Sequence, residues 1–220
     1  MKPCIELKTG SNLCVVTGYS DSCNEHGPFA ARVDISYCLK HGYDFRAYGD
    51  ECFDKKRFGA WSKVLFVNES LKDYQYVFWI DADATFTNHD KKIADLIKLG
   101  GDMFLCRQEC DGDFNTGVFL IRSCDWSFWL LEEMWNTKGW DWLGGWEQSA
   151  FNKIYKEGRV GQRMVYYPMK VFNAIPDPAP HPLMEWQPGD FIAHRAGAYN
   201  TSERKIILTE CLKKSGIVGI

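Results

Sequence analysis

Strand-like and helix-like segments alternate through the first half of this chain. Residues 13–18, 44–48 and 76–80 have the length and character of buried strands. Between them, residues 28–41 and 61–71 carry apolar side chains at helical spacing. Alternation of this kind predicts an α/β fold, with a mainly parallel central sheet flanked by helices on both faces.

The second half mixes strands and helices less regularly. Residues 176–188 are rich in proline and are predicted to be irregular. No linker, repeat or low-complexity tract interrupts the chain, so residues 1–220 are predicted to form one domain. The other predicted helices are 91–99, a helix capped by Ser123 that runs through Met134, 147–155, and a helix capped by Thr201 that runs through Lys214. The other predicted strands are 103–106, 116–121, 165–167 and 191–194.

Composition argues against several classes of partner. The net charge is -3 and no run of Lys or Arg occurs, which disfavours nucleic acid and anionic membrane surfaces. No segment has the length and apolar character of a membrane span, and no signal peptide is recognisable. The nine cysteines lack Cys-x-x-Cys pairs and zinc-like spacing, so we expect reduced thiols and a cytoplasmic location rather than the Golgi lumen.

Two carboxylates one residue apart follow the predicted strand at 76–80. Asp81 and Asp83 therefore lie at the carboxyl end of a strand, where open α/β sheets bind ligands. Carboxylate oxygens suit a hard divalent cation, and such a cation commonly serves substrate phosphates. As a bare pattern, the pair is equally consistent with a solvated loop that caps the following turn.

His194 ends the last predicted strand and is the expected partner of this acidic pair. Gly197 follows it and permits a tight turn whose backbone N–H groups can face phosphate oxygens. Carboxylates, one imidazole and diphosphate oxygens together suit octahedral Mn²⁺ or Mg²⁺. The alternative is that His194 is a structural residue, which is the more common role of a lone histidine.

The loop after the first predicted strand contains Thr17, Gly18 and Tyr19. In an α/β sheet this loop borders the nucleotide crevice, where Tyr19 is able to stack on a base and Thr17 to bind its edge. The segment is not G-x-G-x-x-G, and no P-loop is present, which disfavours nicotinamide and ATP-type ligands. An ordinary strand-to-loop turn is the alternative.

Polar and aromatic residues of the second half suit a sugar. Asn115, Glu147 and Gln148 carry side chains that hydrogen-bond hydroxyl groups. Core packing is the alternative for the aromatic residues. The aromatic faces would come from tryptophans around Gly144 and Gly145, namely Trp140, Trp142 and Trp146.

A competing hypothesis treats Asp81-Ala-Asp-Ala-Thr85 as the signature of haloacid-dehalogenase-like phosphatases. In those enzymes the first Asp attacks the phosphoryl group and the second is the acid/base. Asp50 and Asp54 resemble the late acidic motif, but here they precede the nucleophile instead of following it. Two predicted strands also precede Asp81, whereas the nucleophile should close the first.

Six motifs in consecutive order resemble those of retaining GT-A-fold glycosyltransferases, in particular fungal α-galactosyltransferases and plant xyloglucan xylosyltransferases. The short chain also resembles the compact glycosyltransferase domains of large algal viruses. The motifs are His41-Gly-Tyr-Asp44, Trp61-Ser-Lys63, Trp79-Ile-Asp-Ala-Asp83, Asn115-Thr-Gly-Val-Phe-Leu-Ile-Arg122, Glu147-Gln-Ser-Ala150 and Gly189-Asp-Phe-Ile-Ala-His194.

This resemblance implies a DxD motif, a Rossmann-like GT-A domain and a role for each candidate residue. The nucleotide-binding half would span about residues 1–100 and the acceptor and catalytic half about 101–220. Asp81, Asp83 and His194 would hold Mn²⁺ or Mg²⁺, with Asp81 also on the ribose. Thr17, Gly18, Tyr19 and Asp44 would line a uridine pocket, Lys63 and Gly197 would lie near the diphosphate or donor sugar, and Asn115, Glu147 and Gln148 would face the reaction centre.

The implied activity is metal-dependent transfer of a sugar from a UDP-sugar to a hydroxyl of a glycan or glycoprotein, with retention. The non-enzymatic alternative is a carbohydrate-binding module that uses the same aromatic residues without turnover. Such a module would bind sugar regardless of metal or nucleotide.

Overall fold

A seven-stranded sheet forms the centre of the computed structural model, which describes residues 1–141, 144–197 and 200–217. Its strands are β1 (Ile5–Leu7), β2 (Leu13–Gly18), β3 (Asp44–Tyr48), β4 (Tyr76–Ile80), β6 (Met103–Arg107), β7 (Phe114–Arg122) and β8 (Met164–Pro168), and a separate pair contains β5 (Ala84–Phe86) and β9 (Ile192–His194). The large sheet has the order β1-β3-β2-β4-β7-β6-β8. Five of its seven strands run in one direction, and β1 and β7 run in the other.

Helices cover both faces of the large sheet, as the sequence predicts. They are α1 (His26–His41), α2 (Ser62–Ser70), α3 (Asp125–Asn136), α4 (Trp146–Lys156), α5 (Met169–Phe172) and α6 (Thr201–Lys214). Because alternate side chains of a strand point to opposite faces, Val15 of β2 packs with the α1 cluster and Val16 with the α2, α3 and α4 cluster. Burial of both faces explains the nearly continuous apolar character of β2 and β4.

The small β5–β9 sheet brings two distant parts of the chain together. Its antiparallel register pairs Ala84 with His194. Asp83 directly precedes Ala84, so this single pairing places the second Asp of the acidic pair beside His194. Strand β5 has only three residues and follows a turn at once, and the sequence pattern gave no sign of it.

One predicted helix is absent from the structure. Residues 91–99 form no α-helix, and only Ile93–Leu96 make a short 3₁₀ turn. The backbone there is bonded to Tyr37, whose hydroxyl donates to the Lys91 carbonyl and accepts from the Ile93 N–H.

Among the described helices, none is both long and apolar enough to cross a bilayer.

The N-caps of two helices are also one residue away from their predicted positions. Cys124 precedes α3, and Ser123 instead donates its hydroxyl to the Leu71 carbonyl. Asn200 caps α6 in a reciprocal capping box with Glu203.

Candidate active site

A cavity of about 1000 Å³ opens at the carboxyl ends of β2 and β4. The N-terminal ends of α1, α4 and α6 complete its wall. This is the edge of an α/β sheet at which ligands bind. Of the candidate residues predicted from sequence, those that line the cavity are Gly18, Tyr19, Lys63, Asp81, Asp83, Asn115, Glu147, Gln148, His194 and Gly197.

Asp81, Asp83 and His194 form a cluster that fits a divalent cation. One potential ligand atom from each lies within 4.8 Å of the others. His194 Nε2 is 3.4 Å from Asp83 Oδ1. Two ligands at right angles around an octahedral cation, with bonds of about 2.1 Å, are separated by about 3 Å, close to this spacing. Two carboxylates and an imidazole are also the donor types that Mn²⁺ accepts.

Asp81 is held by its own strand and by helix α2. Trp79 Nε1 donates to Asp81 Oδ1 at 2.7 Å, and Lys63 Nζ lies 2.9 Å from the same oxygen. The Asp81 N–H donates to the Gly117 carbonyl at 2.8 Å, which ties the end of β4 to β7. The carboxylate is therefore oriented before any ligand binds.

Lys63 and Glu147 form a buried ion pair behind Asp81. Lys63 Nζ lies 2.8 Å from Glu147 Oε1 and donates to the Thr116 carbonyl at 3.0 Å. Burial opposes the charge on Lys63, but Asp81 and Glu147 outweigh this effect and raise its pKa. Burial raises the pKa of Glu147, and Lys63 limits that rise.

The second oxygen of Glu147 is available to a ligand. Oε2 is buried and has no hydrogen-bond partner among the described residues, whereas Oε1 accepts from Thr116 Oγ1 as well as from Lys63. A buried carboxylate oxygen without a donor is costly, so it suits a hydroxyl group brought in by a substrate. The neighbouring Gln148 uses its Oε1 to accept from the Thr116 N–H at 3.1 Å.

The sequence did not identify Arg204 and His26, which the structure places in the cavity wall. Arg204 Nε lies 3.3 Å from Asp83 Oδ2, and its Nη2 donates to the Gly197 carbonyl at 2.6 Å. His26 Nδ1 is 2.7 Å from Thr201 Oγ1, and burial lowers the pKa of His26. Both residues lie in the first turn of a helix, and α6 is held at the site by packing against α1 and β9.

Asp44 is a correction to the predicted uridine pocket. It begins β3 and pairs with Cys14, at the opposite end of the strands from Gly18. Its Oδ1 accepts hydrogen bonds from the N–H groups of Thr9, Gly10 and Ser11. Burial opposes the charge of Asp44, but the hydrogen bonds from Thr9 and Ser11 outweigh this effect and lower its pKa. Its carboxylate therefore fixes the loop between β1 and β2.

Thr17 is a second correction, because it is buried in β2 and does not line the cavity. In the aromatic group, Trp146 stacks on Phe58 with ring centroids 4.0 Å apart and lines the wall. The Trp140 carbonyl accepts from Trp61 Nε1. Trp142 lies outside the described residues.

Part of the chain is similar in sequence to glycosyltransferases. The sequence profile of the galactosyl transferase GMA12/MNN10 family matches residues 98–205, and a profile of a protein family of unknown function, DUF273, matches residues 35–139. Xyloglucan 6-xylosyltransferase 4 of Arabidopsis thaliana is 30% identical over 113 residues, which is 47% of this chain and 22% of that protein. The chain covers 21% to 30% of the length of such curated relatives.

Two solved structures share the fold. One is a glycosyltransferase involved in glycosylation of the major capsid of PBCV-1, with a TM-score of 0.70, 16% identity, and coverage of 90% of this chain and 98% of that chain. The other is a mutant of Drosophila β1,4-galactosyltransferase 7 with manganese, UDP-Gal and xylobiose, with a TM-score of 0.50, 14% identity, and coverage of 88% and 73%. Together, these similarities show that the chain has the GT-A fold and that part of its sequence is similar to glycosyltransferases.

Proposed function

We propose that this chain transfers a sugar from a UDP-sugar to an acceptor hydroxyl with the help of a divalent cation. The observation that carries the proposal is the Asp81, Asp83 and His194 cluster at the floor of the 1000 Å³ cavity. A cation-binding group beside a cavity of this size suits a substrate with a diphosphate between a nucleoside and a sugar. Relatives of this chain include xylosyltransferases, and one structural neighbour was solved with manganese and UDP-Gal.

The charges of the site favour a cation before a diphosphate. Asp81, Asp83 and Glu147 supply three carboxylates, against the two cationic side chains of Lys63 and Arg204. Mn²⁺ or Mg²⁺, held by Asp81, Asp83 and His194, would supply Lewis acidity to the diphosphate as the glycosidic bond breaks. Trp79 and Lys63 keep the Asp81 carboxylate oriented for this role.

Lys63 acts here through its neighbours. Its ammonium group already contacts Asp81, Glu147 and the Thr116 carbonyl, and it is 5% exposed. Its role is therefore to fix the two carboxylates and to reduce their mutual repulsion. Arg204 also lines the cavity and has freer access to a leaving diphosphate, because its side chain is 21% exposed.

Glu147 and Tyr19 would contact the sugar and the uracil ring at the two ends of the proposed substrate. Glu147 Oε2 is the acceptor for a sugar hydroxyl and can stabilise positive charge that develops at the anomeric carbon. Tyr19, next to Gly18 at the end of β2, provides the aromatic face for the uracil ring. In a retaining reaction the acceptor attacks from the side that the diphosphate leaves, and a phosphate oxygen can take its proton, so no additional carboxylate base is needed.

The phosphatase alternative has less support. A nucleophilic Asp81 would need an oxygen with open access, but Trp79 Nε1 and Lys63 Nζ both lie within 3 Å of Asp81 Oδ1, and Lys63 donates to Oδ2 at 3.3 Å. The strand before Asp81 is also not the first of the sheet. These contacts suit a carboxylate that orients a ligand.

The decisive experiment measures UDP release from a panel of UDP-glucose, UDP-galactose and UDP-xylose with Mn²⁺ and without it. We expect one donor to be hydrolysed in the presence of metal, and Asp83→Ala to abolish that release because a metal ligand is lost. Asp90→Ala is the matched control, since Asp90 is 91% exposed and pairs with Lys40 on the surface.

Full metal-dependent turnover by Asp83→Ala would contradict the metal assignment. Sugar binding that is indifferent to both Mn²⁺ and UDP would instead support a carbohydrate-binding module. Phosphate release from a sugar phosphate with no requirement for UDP would support the phosphatase.

A further inference from the structure

A chain of buried hydrogen bonds connects the backbone of β7 to the imidazole of His194. The Gly117 N–H donates to Asn115 Oδ1 at 2.9 Å, and Asn173 Nδ2 donates to the same oxygen at 2.9 Å. Asn173 Oδ1 then lies 2.7 Å from His194 Nδ1. Asn173 is 0% exposed, His194 3% and Asn115 6%, so water has little access to these groups.

The direction of each hydrogen bond in this chain follows from the first one. A backbone N–H can only donate, so the Asn115 atom that faces Gly117 must be its carbonyl oxygen. The Asn173 atom that faces this oxygen must then be the amide nitrogen, which leaves the carbonyl oxygen of Asn173 toward the histidine. An amide carbonyl only accepts, so the proton of neutral His194 must be on Nδ1.

We propose that Gly117, Asn115 and Asn173 hold neutral His194 as the Nδ1–H tautomer, with the lone pair of Nε2 directed toward Asp83. The consequence for metal binding rests on the proposed function. Nε2 lies 3.4 Å from Asp83 Oδ1, within the cluster that fits a cation. Asn173 is thus a positioning residue that acts on the metal through His194, and such partners of ligating histidines commonly set metal affinity.

Neighbouring backbone contacts hold the ring in the same place. The His194 N–H donates to the Ala174 carbonyl at 2.8 Å, one residue after Asn173. A Cβ at Gly117 would lie 2.1 Å from His194 Cε1, so the ring fills the space that a side chain there would need. These contacts therefore fix the positions of Asn173 and His194 relative to each other.

The tautomer is read directly by NMR of the metal-free, ¹⁵N-labelled protein at a pH at which histidine is neutral. The two ring nitrogens have distinct shifts when one is protonated, and His194→Gln assigns the signals among the five histidines of the chain. We expect a protonated Nδ1 and a bare Nε2. Asn173→Ala should give a mixture of tautomers, whereas Asn173→Asp, which keeps an acceptor at this position, should restore the Nδ1–H form.

The metal consequence is measured as free Mn²⁺ by electron paramagnetic resonance. We expect Asn173→Ala to weaken Mn²⁺ binding by roughly 10- to 100-fold. Asn152→Ala is the matched control, because Asn152 is 5% exposed and also makes two bonds to β7, to the N–H and carbonyl of Phe114, away from His194. It should lower stability and leave Mn²⁺ affinity unchanged.

A wild-type His194 with its proton on Nε2, or an Asn173→Ala variant with an unchanged tautomer, would overturn the proposal. If the alanine variant does not fold, the position of the proton in wild-type His194 still decides the proposal. A wild-type protein that shows the Nδ1–H tautomer but binds no Mn²⁺ would leave this assignment intact and would refute the metal-dependent function instead.

Discussion

The ring of His194 occupies the space beside the Cα of Gly117, so that an added Cβ would lie 2.1 Å from His194 Cε1. Gly117 does not have a left-handed φ. Glycine is therefore required at this position for space and not for backbone conformation. The same strand supplies Asn115, so β7 both makes room for the histidine and orients it.

We expect Gly117→Ala to displace His194 and to weaken Mn²⁺ binding, with a loss of stability of about 1–3 kcal/mol from overpacking. Calorimetric titration with Mn²⁺ and urea unfolding measure the two effects. Gly144→Ala is the control, since among the described residues, its chain neighbours aside, no atom lies within 4 Å of a Cβ at that position. Wild-type Mn²⁺ affinity in Gly117→Ala would show that His194 is not needed as a ligand.

Substitution of Lys63 should strongly lower the free energy of unfolding. Lys63→Met leaves Asp81 and Glu147 as neighbouring carboxylates without their buried cation, and breaking a buried ion pair on one side costs about 3–5 kcal/mol. Glu147→Gln added to Lys63→Met should recover part of this loss. Urea unfolding gives the free energies.

The control for this prediction is a lysine in a solvent-exposed pair. Lys72 pairs with Glu69 at the surface, and its side chain is 56% exposed. Lys72→Met should therefore leave the free energy of unfolding close to that of wild type. Equal costs for the two methionine variants would mean that the Lys63 cluster contributes no more than a surface pair.

Local pattern was sufficient to predict seven of the nine described strands, all except β1 and β5, and to group Asp81, Asp83 and His194. β2, β3 and β4 were predicted with their observed bounds, because both of their ends are marked by turns or polar residues. Asp81 and Asp83 follow the end of β4, and His194 ends β9, so their positions along the strands were enough to group them.

The remaining parts of the site depend on tertiary contacts. Asn173 precedes the bridge between Ala174 and Ala193, and no periodic pattern marks that segment. Arg204 reaches Asp83 through the tertiary packing of α6 against α1 and β9. The prediction for Asp44 was wrong because Asp44 begins β3. The ligand-binding edge of the sheet lies at the other end of the strands, where Gly18 pairs with Tyr48.

Substitution of Arg204 should change the affinity for free metal and the affinity for nucleotide in opposite directions. Its Nε lies 3.3 Å from Asp83 Oδ2, so its charge competes with a cation for that oxygen. We expect Arg204→Gln to bind Mn²⁺ alone several-fold more tightly and to bind UDP with Mn²⁺ more weakly, since a positive charge near the diphosphate is lost. Isothermal titration with each ligand checks both signs.

Lys213→Gln controls for the loss of one positive charge on the same helix, because Lys213 is 63% exposed and lies in the last turn of α6. It should change neither affinity. A parallel decrease of both affinities in Arg204→Gln would indicate that the arginine supports the structure of the site and does not compete with the metal.

Asp34 should give the protein a stability that falls as the pH rises. It is fully buried between α1 and β5, where Oδ1 accepts from Thr85 Oγ1 at 3.0 Å. Burial raises the pKa of Asp34 from 3.8 to about 8, and the hydrogen bonds from Thr85 and Phe86 oppose that rise only in part. Between these two values the folded state keeps a proton that the unfolded chain has lost, so the folded state is favoured at the acidic end of the range and loses this advantage toward pH 8.

The comparison that isolates this effect is Asp34→Asn, which keeps an acceptor oxygen and cannot ionise. One unit of pKa shift corresponds to about 1.4 kcal/mol, so Asp34→Asn should gain up to a few kcal/mol over wild type between pH 4 and pH 8. Urea unfolding across this range measures the difference, and Asp90→Asn, at an exposed carboxylate paired with Lys40, should show no such gain. A constant difference between Asp34→Asn and wild type at every pH would mean that the pKa of Asp34 is the same in the folded and the unfolded protein, which would contradict the shift attributed to burial.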